Sequence, residues 1–244
     1  MLFDISNRNL TSLVGVTFPK NVHTLYCYHN KLTNLEGCPS SVQILVCQNN
    51  RLTSLKGCPP FIQELYCGNN QLTNLEGCPS SLQELYCHNN QLTSLEGCPS
   101  SLQELNCGYN QLASLKGCPP SVQILYCYNN QLTSLKGCPP SVQQLYCYYN
   151  QLTSLEGCSP SVQHLWCGNN PLNPDYLNKS LKEIHKINQI KAYRKGILKL
   201  NSIISSTVIQ RCFRYYYYDK LNSDGLSLFC LRSMEEDRKS GIII

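Results

Sequence analysis

The 244-residue chain carries seventeen cysteines, and sulfur is the atom in it best able to do chemistry. As thiolates the cysteines would be nucleophiles or ligands of a soft metal, and as pairs they would close disulfides. Their placement favours none of these uses. Eight of them (Cys27, Cys47, Cys67, Cys87, Cys107, Cys127, Cys147 and Cys167) return every twenty residues, and seven more (Cys38, Cys58, Cys78, Cys98, Cys118, Cys138 and Cys158) return at the same interval, eleven positions later. No two lie closer than nine residues and no C-x-x-C pair occurs, whereas a tetrahedral zinc site needs four ligands converging at about 2.3 Å. Free cysteine is a small, readily buried hydrophobe, so two stacked thiol columns on opposite walls of an interior account for the pattern. No metal and no cofactor is expected.

Catalysis has little to stand on. The five histidines are His23, His29, His88, His164 and His185, and none recurs with a carboxylate and a hydroxyl or thiol in the manner of a triad. His88 follows Cys87 directly, and adjacent residues of an extended segment face opposite ways. No catalytic residue is assigned.

Asparagine stands at every twentieth position as well: Asn30, Asn50, Asn70, Asn90, Asn110, Asn130, Asn150 and Asn170. A side-chain amide offers two donors and an acceptor, so an inward-facing column of them can satisfy turn backbone groups that would otherwise be buried unpaired. These eight are expected to form a structural ladder. A third column is aromatic. The residues before the strand cysteines read Tyr26, Val46, Tyr66, Tyr86, Asn106, Tyr126, Tyr146 and Trp166, and those after them include Tyr128 and Tyr148, with Tyr149 at the edge. Tyrosine and tryptophan are rigid, amphipathic and typical of interface anchors. They also stack across neighbouring strands at ~0.2 to 1 kcal/mol per pair, so the column has a structural use too. Glu64, Glu84 and Glu104 stand one column away and bases are nearly absent, which disfavours single-stranded nucleic acid. A protein or peptide fits these residues better, through Tyr26, Tyr66, Tyr86, Tyr126, Tyr128, Tyr146, Tyr148, Tyr149 and Trp166.

The elements that hold these columns are read from the repeat itself. Ser81 to Ser100 reads SLQELYCHNNQLTSLEGCPS, and the next twenty residues read SLQELNCGYNQLASLKGCPP. A fixed short period means that each unit cannot bury its own apolar face, so neighbours stack into one continuous core. Leu85 and Cys87 are two apart and face one side of an extended segment, while Tyr86 and His88 face the other. Gly97 and Pro99 punctuate a return path too short for a useful helix, so the outer wall is expected to be extended or polyproline-like, with short turns.

The phase L-x-x-L-x-C-x-x-N-x-L resembles the leucine-rich repeat, with cysteine in the third leucine position, from Phe3 to about Leu172. The S-L-x-x-L and N-x-L-T-S-L stretches are similar to repeats of bacterial effector proteins. The C-P-x-S variant, with its basic tail, resembles leucine-rich repeat proteins of giant amoebal DNA viruses. The resemblance implies a right-handed α/β-type solenoid arc with a parallel sheet on its concave side and a mostly non-helical convex side. Some bacterial effectors of this kind carry a ubiquitin-ligase domain with a C-x-D cysteine. Cys212 and Cys230 lack that arrangement, being followed by Phe213-Arg214 and Leu231-Arg232.

The expected division is a solenoid over 1–172, with an irregular first coil over 1–21 and regular repeats over 22–172. A basic helical cap over 173–220 and a loosely ordered tail over 221–244 follow. The first coil has Phe3, Ile5, Leu10 and Leu13 in phase, Arg8 in the ladder slot and two extra residues before Val22. Through Pro171 there are seven Lys+Arg and eight Asp+Glu, and from Leu172 onward thirteen and seven, so the net charge of +5 belongs to the tail. Asn173, Pro174 and Asp175 suggest a helix start there, with Leu177, Leu181, Ile184, Ile187, Ile190 and Tyr193 as its apolar stripe, Gly196 as a break and Ile197 to Val208 as a second apolar stretch. Such a helix would cover the open end of the stack, or serve an anionic surface or a calmodulin-like partner. Ile209, Gln210 and Arg214 match the opening of a calmodulin-binding IQ motif, with Tyr215 and Asp219 departing from it.

Met1 to Leu10 contains Asp4 and Arg8 and no apolar core, so no secretory signal is expected. No run approaches the ~20 apolar residues of a membrane span. A soluble intracellular chain with reduced thiols follows, in a host cytoplasm if the source is viral. The functional expectation is non-catalytic protein or peptide binding through the tyrosine-rich concave face. Self-association, or calmodulin-type binding through the tail, is the alternative.

Overall fold

A computed structural model describes residues 1–203, with side chains through residue 198. Nine three-residue strands run parallel in one sheet in chain order. They are β1 (Leu2–Asp4), β2 (Thr24–Tyr26), β3 (Ile44–Val46), β4 (Glu64–Tyr66), β5 (Glu84–Tyr86), β6 (Glu104–Asn106), β7 (Ile124–Tyr126), β8 (Gln144–Tyr146) and β9 (His164–Trp166). From β2 onward each strand pairs with the residue twenty positions on; β1 pairs at twenty-two (Phe3 with Leu25), which absorbs the two extra residues of the first coil.

The period maps onto one coil. In each regular coil the middle strand leucine, the strand cysteine and the two leucines after the asparagine point inward, and from Leu25 to Leu155 these leucines are fully buried. The chain then turns back twice. Gly117 is the third residue of a turn closed by Cys118 N to Leu115 O at 3.0 Å, with φ +87°, a sign that glycine adopts freely. A Cβ there would also lie 2.6 Å from the Glu96 amide of the preceding coil. The second turn runs Pro119 to Val122, closed by Val122 N to Pro119 O at 3.3 Å. No helix occurs in the return paths among the described residues.

Both thiol columns are free and turned from solvent, the strand column more deeply than the return column. Burial first, then the repulsion that neighbouring Cys27, Cys67, Cys58 and Cys38 would exert once ionised, pushes the Cys47 thiol well above its ordinary range. Cys87 behaves likewise, with Cys67, Cys98 and Cys78 as neighbours.

The C-terminal region needs more revision. Residues 173 to 177 form turns, with Tyr176 N bonded to Asn173 O at 3.1 Å and Leu177 N to Pro174 O at 3.3 Å, and Asn178 has a positive φ. The helix α1 (Leu181–Ile203) therefore starts later than Asn173. Ser180 caps it. The Ser180 backbone amide and hydroxyl donate to Glu183 Oε2 at 2.8 and 2.7 Å, and Glu183 N donates back to Ser180 Oγ at 3.4 Å, a reciprocal box. Leu177, placed in the apolar stripe by the sequence, is 51% exposed. α1 continues through Gly196, which does not break it.

Nor does α1 present one apolar face against one basic face. Leu181, Ile184, Ile187, Ile190 and Tyr193 are spaced by three, and each step falls about 60° short of a full turn, so the stripe winds around the helix among the lysines. That removes the geometric basis for a membrane-surface helix. Among the described residues no helix is long and apolar enough to cross a membrane. Chain contacts divide at His185, with Met1–His185 one unit and Lys186–Ile244 another. Within the first unit Tyr176 and Ile184 are buried, and Ser154 Oγ donates to the Tyr176 hydroxyl at 3.3 Å. The IQ-like Ile209, Gln210 and Arg214, the cysteines Cys212 and Cys230, the far part of the expected cap and the tail over 221–244 lie outside the described residues.

Candidate binding face and its supporting ladders

The asparagines act one coil apart. Asn90 Nδ2 donates to the Cys87 carbonyl of its own coil at 3.0 Å and to Cys67 O of the preceding coil at 3.1 Å, while its Oδ1 accepts from Leu72 N at 2.9 Å. Asn50, Asn70, Asn110, Asn130, Asn150 and Asn170 repeat this pattern. Asn30 likewise donates to Cys27 O of its own coil at 3.0 Å, but its second carbonyl is Ile5 O and its Oδ1 accepts from the amides of both Arg8 and Leu10. Arg8 occupies the ladder slot of the first coil, but its guanidinium returns to the surface and donates to Asp4 O at 3.0 Å.

A second ladder escaped the sequence reading. Ser81, Ser101 and Ser121 donate to the carbonyls of Ile62, Leu82 and Leu102 at 2.7, 2.6 and 2.6 Å, and Ser41 to Val22 O at 2.8 Å. The serine recurs at the same twenty-residue interval in most of the repeats, so the signal was present. Phe61 replaces it in one coil and lies 66% exposed.

On the opposite face of the sheet the aromatics form stacks. Tyr66 and Tyr86 are parallel with centroids 4.5 Å apart; Tyr126, Tyr146 and Trp166 follow at 4.4 and 4.1 Å. Tyr128 and Tyr148 stack at 4.8 Å in the next column. Tyr26 stands apart, its next neighbour along the column being Val46, and leans on Tyr28 at 6.1 Å. Glycines make room for the second column: a Cβ on Gly108 would meet the Tyr128 ring at 2.6 Å, and one on Gly68 the His88 ring at 2.5 Å. His88 is held below its ordinary pKa by burial, and its Nδ1 is buried with no hydrogen-bond partner among the described residues.

The face is acidic toward the middle. Glu64, Glu84 and Glu104 sit in register on consecutive strands. The Tyr66 hydroxyl donates to Glu64 at 3.2 Å, and that of Tyr86 to Glu84 and Glu104 at 3.2 and 2.8 Å. Burial, then Glu64, pushes the Tyr66 hydroxyl up to about 12. Burial and the neighbouring carboxylates together raise Glu84, against the lowering effect of the Tyr86 hydroxyl.

The edge residue before each ladder asparagine sits in the left-handed region, with φ between 50° and 56°. Asparagine suits that backbone and fills five of the eight positions, but His29, Tyr109 and Tyr149 fill the others. Tyr109 and Tyr149 are 50% and 53% exposed and lie edge-on to Tyr128 and Tyr148, at 5.5 and 5.8 Å. Aromatics at a strained and exposed site do not serve the core. Tyr149→Asn is accordingly expected to leave stability unchanged or raise it by up to about 1 kcal/mol in urea unfolding. A loss above about 1 kcal/mol would mean that Tyr149 belongs to the scaffold.

The comparisons agree with this architecture. A family model described as leucine-rich repeats (two copies) matches residues 60–99 and 80–119. The leucine-rich effector protein YopM of Yersinia pestis is 30% identical, over 69% of this chain and 49% of that chain, with a TM-score of 0.58. The functional domain of InlJ from Listeria monocytogenes, which includes a cysteine ladder, is 26% identical over 63% of this chain and 37% of that chain, with a TM-score of 0.52. A Shigella effector leucine-rich repeat domain shares the fold at 24% identity, over 78% of this chain and 76% of that chain, with a TM-score of 0.51. The chain spans about half the length of the first solved structures that it matches. No curated protein matches it.

Proposed function

We propose, from the premise that the chain is a leucine-rich repeat solenoid, that it is a non-catalytic module that takes up a protein or peptide on the aromatic face of its sheet. The observation that carries this is the exposed end of the longer stack. Trp166 lies flat on Tyr146 and is still 43% exposed. A large, rigid, amphipathic ring held in place by its neighbours and left open to solvent has little ordering entropy to lose on binding. The effector likeness supports a role in engaging other proteins. The thiol columns, like the cysteine ladder of InlJ, belong in this reading to the scaffold, and free buried thiols fit a reducing, intracellular setting.

Replacing Tyr126, Tyr146 and Trp166 together with alanine is expected to preserve the strand signal in circular dichroism and to weaken capture of a partner from cell extract by tenfold or more, about 1.4 kcal/mol. Capture equal to that of the parent chain would move the binding site to the return wall or the tail.

A further inference from the structure

The aromatic column is interrupted once in its C-terminal two-thirds, at Asn106. Tyr86, Asn106 and Tyr126 are register partners on β5, β6 and β7. Strands lie about 4.8 Å apart, so the sheet sets Tyr86 and Tyr126 about 9.6 Å apart at the backbone, two strand spacings with no ring at the position between them. The stacks on either side, at 4.5 and 4.4 Å, show how closely this column packs when each position holds a ring. Asn106 does not fill the gap. Its Oδ1 turns back to accept from Gly108 N at 3.2 Å on its own strand.

The walls have a definite chemistry. At one end stands Glu104, its Oε1 held at 2.8 Å by the Tyr86 hydroxyl, with Glu84 and Glu64 behind it in register. At the other end the Tyr128 ring lies over Gly108. Like charges in register across strands are destabilising, and on the return wall opposite charges offset one another, Glu36 pairing with Lys56 and Glu96 with Lys116, each at 2.8 Å. None of the ion pairs among the described residues involves Glu64, Glu84 or Glu104.

We infer that the gap between Tyr86 and Tyr126 is a slot for an arginine side chain of the protein or peptide partner, the guanidinium lying between the two rings and pairing with Glu104. The slot is one plane thick, its faces are electron-rich rings, and its end is a carboxylate, so the complementary group is flat, cationic and a forked donor. Lysine has the charge without the plane. A neutral ring has the plane without the charge, and a nucleobase would bring its phosphate against three carboxylates. This assignment rests on the sheet face being the binding surface and names what that surface selects.

The test uses the full chain with 13C-labelled tyrosine rings, assigned by single Tyr→Phe variants and titrated by NMR with the blocked tripeptide Gly-Arg-Gly and its lysine and citrulline counterparts. The arginine peptide is expected to shift Tyr86 and Tyr126 saturably in the millimolar range, about fivefold more tightly than lysine, with no saturation by citrulline. Glu104→Gln is expected to weaken it about tenfold. Asn106→Tyr, which completes the stack, is expected to abolish binding and raise the melting temperature. Equal affinity for arginine and lysine, shifts confined to Tyr146 or Tyr148, or undiminished binding by the Glu104→Gln protein each overturns the slot. If the triple alanine variant loses capture while the arginine peptide has no effect, the slot is wrong and the aromatic face stands. An arginine response with capture unchanged by the triple variant, which lacks Tyr126, overturns both the face as the capture site and the slot as a site for the partner's arginine.

Discussion

Brought from pH 8 to above about pH 9 in the presence of a reductant, the protein is expected to lose its sheet within roughly one pH unit. The cause is the interior sulfur. Cys27, Cys47, Cys67, Cys87, Cys107, Cys127 and Cys147 are fully buried, and every one of them is raised from an ordinary value of 9.0, Cys27 to about 12. Burial is the largest cause in each case. Above pH 9 the unfolded chain sheds these protons while the folded chain retains them, so stability is complete below the ordinary value and falls as pH climbs through it. Each retained proton costs about 1.4 kcal/mol per pH unit, so seven cost about 10, against a total stability of ~5 to 15 kcal/mol for a folded domain. The return-wall thiols add to this, with Cys78, Cys118 and Cys158 also pushed up to about 12.

Far-UV circular dichroism with parallel thiolate absorbance follows the transition. Valine at Cys67 and Cys87 removes two titrating groups and should move the midpoint to higher pH. A sheet signal unchanged at about pH 10.5 would mean that the sulfurs are paired or solvated and that the interior is not the one described.

That interior was legible because a period constrains every copy at once. Leu85 and Cys87, two apart, could face inward together only in an extended strand, and a ladder of identical amides has few uses except bonding to the backbone between coils. The register of β1 with β2 followed from counting two extra residues before Val22. Elements without repetition were less readable. Asn173-Pro174-Asp175 suits a turn as well as a helix start, and here the turn wins because Asn178 takes a left-handed backbone before Ser180 begins the helix. The S-x-x-E box at Ser180 and Glu183 was the better signal.

The site was legible in its columns and not in its details. Placing Tyr66, Tyr86, Tyr126 and Tyr146 on one face required only alternation, but which rings touch depends on what lies between them. Asn106 breaks one stack and Val46 separates Tyr26 from another. The strain at Tyr109 and Tyr149 was available in principle, because the paired asparagines at 49–50, 69–70 and 89–90 mark a position where left-handed backbone is required. An aromatic replacing the first asparagine of such a pair therefore signals a side chain placed for something other than the fold.

Loss of one central ladder amide is expected to cost about 2 to 4 kcal/mol in urea unfolding. In Asn90→Ala the Cys67 and Cys87 carbonyls each keep one asparagine donor, from Asn70 and Asn110. Leu72 N has no such substitute, since its bond is to Asn90 Oδ1 in a buried setting. Asn90→Asp sharpens the test. A carboxylate can accept from Leu72 N but points a charge at two carbonyls, so its folded pKa rises. The variant then loses stability as pH climbs through the ordinary carboxylate value near 4 and recovers below it. Asn170→Ala, at a partly exposed position in the last coil, should cost about half as much, because water can replace what is lost. An Asn90→Ala protein within about 0.5 kcal/mol of the parent would show that the coils are held by their leucines alone, with the amide column a passenger.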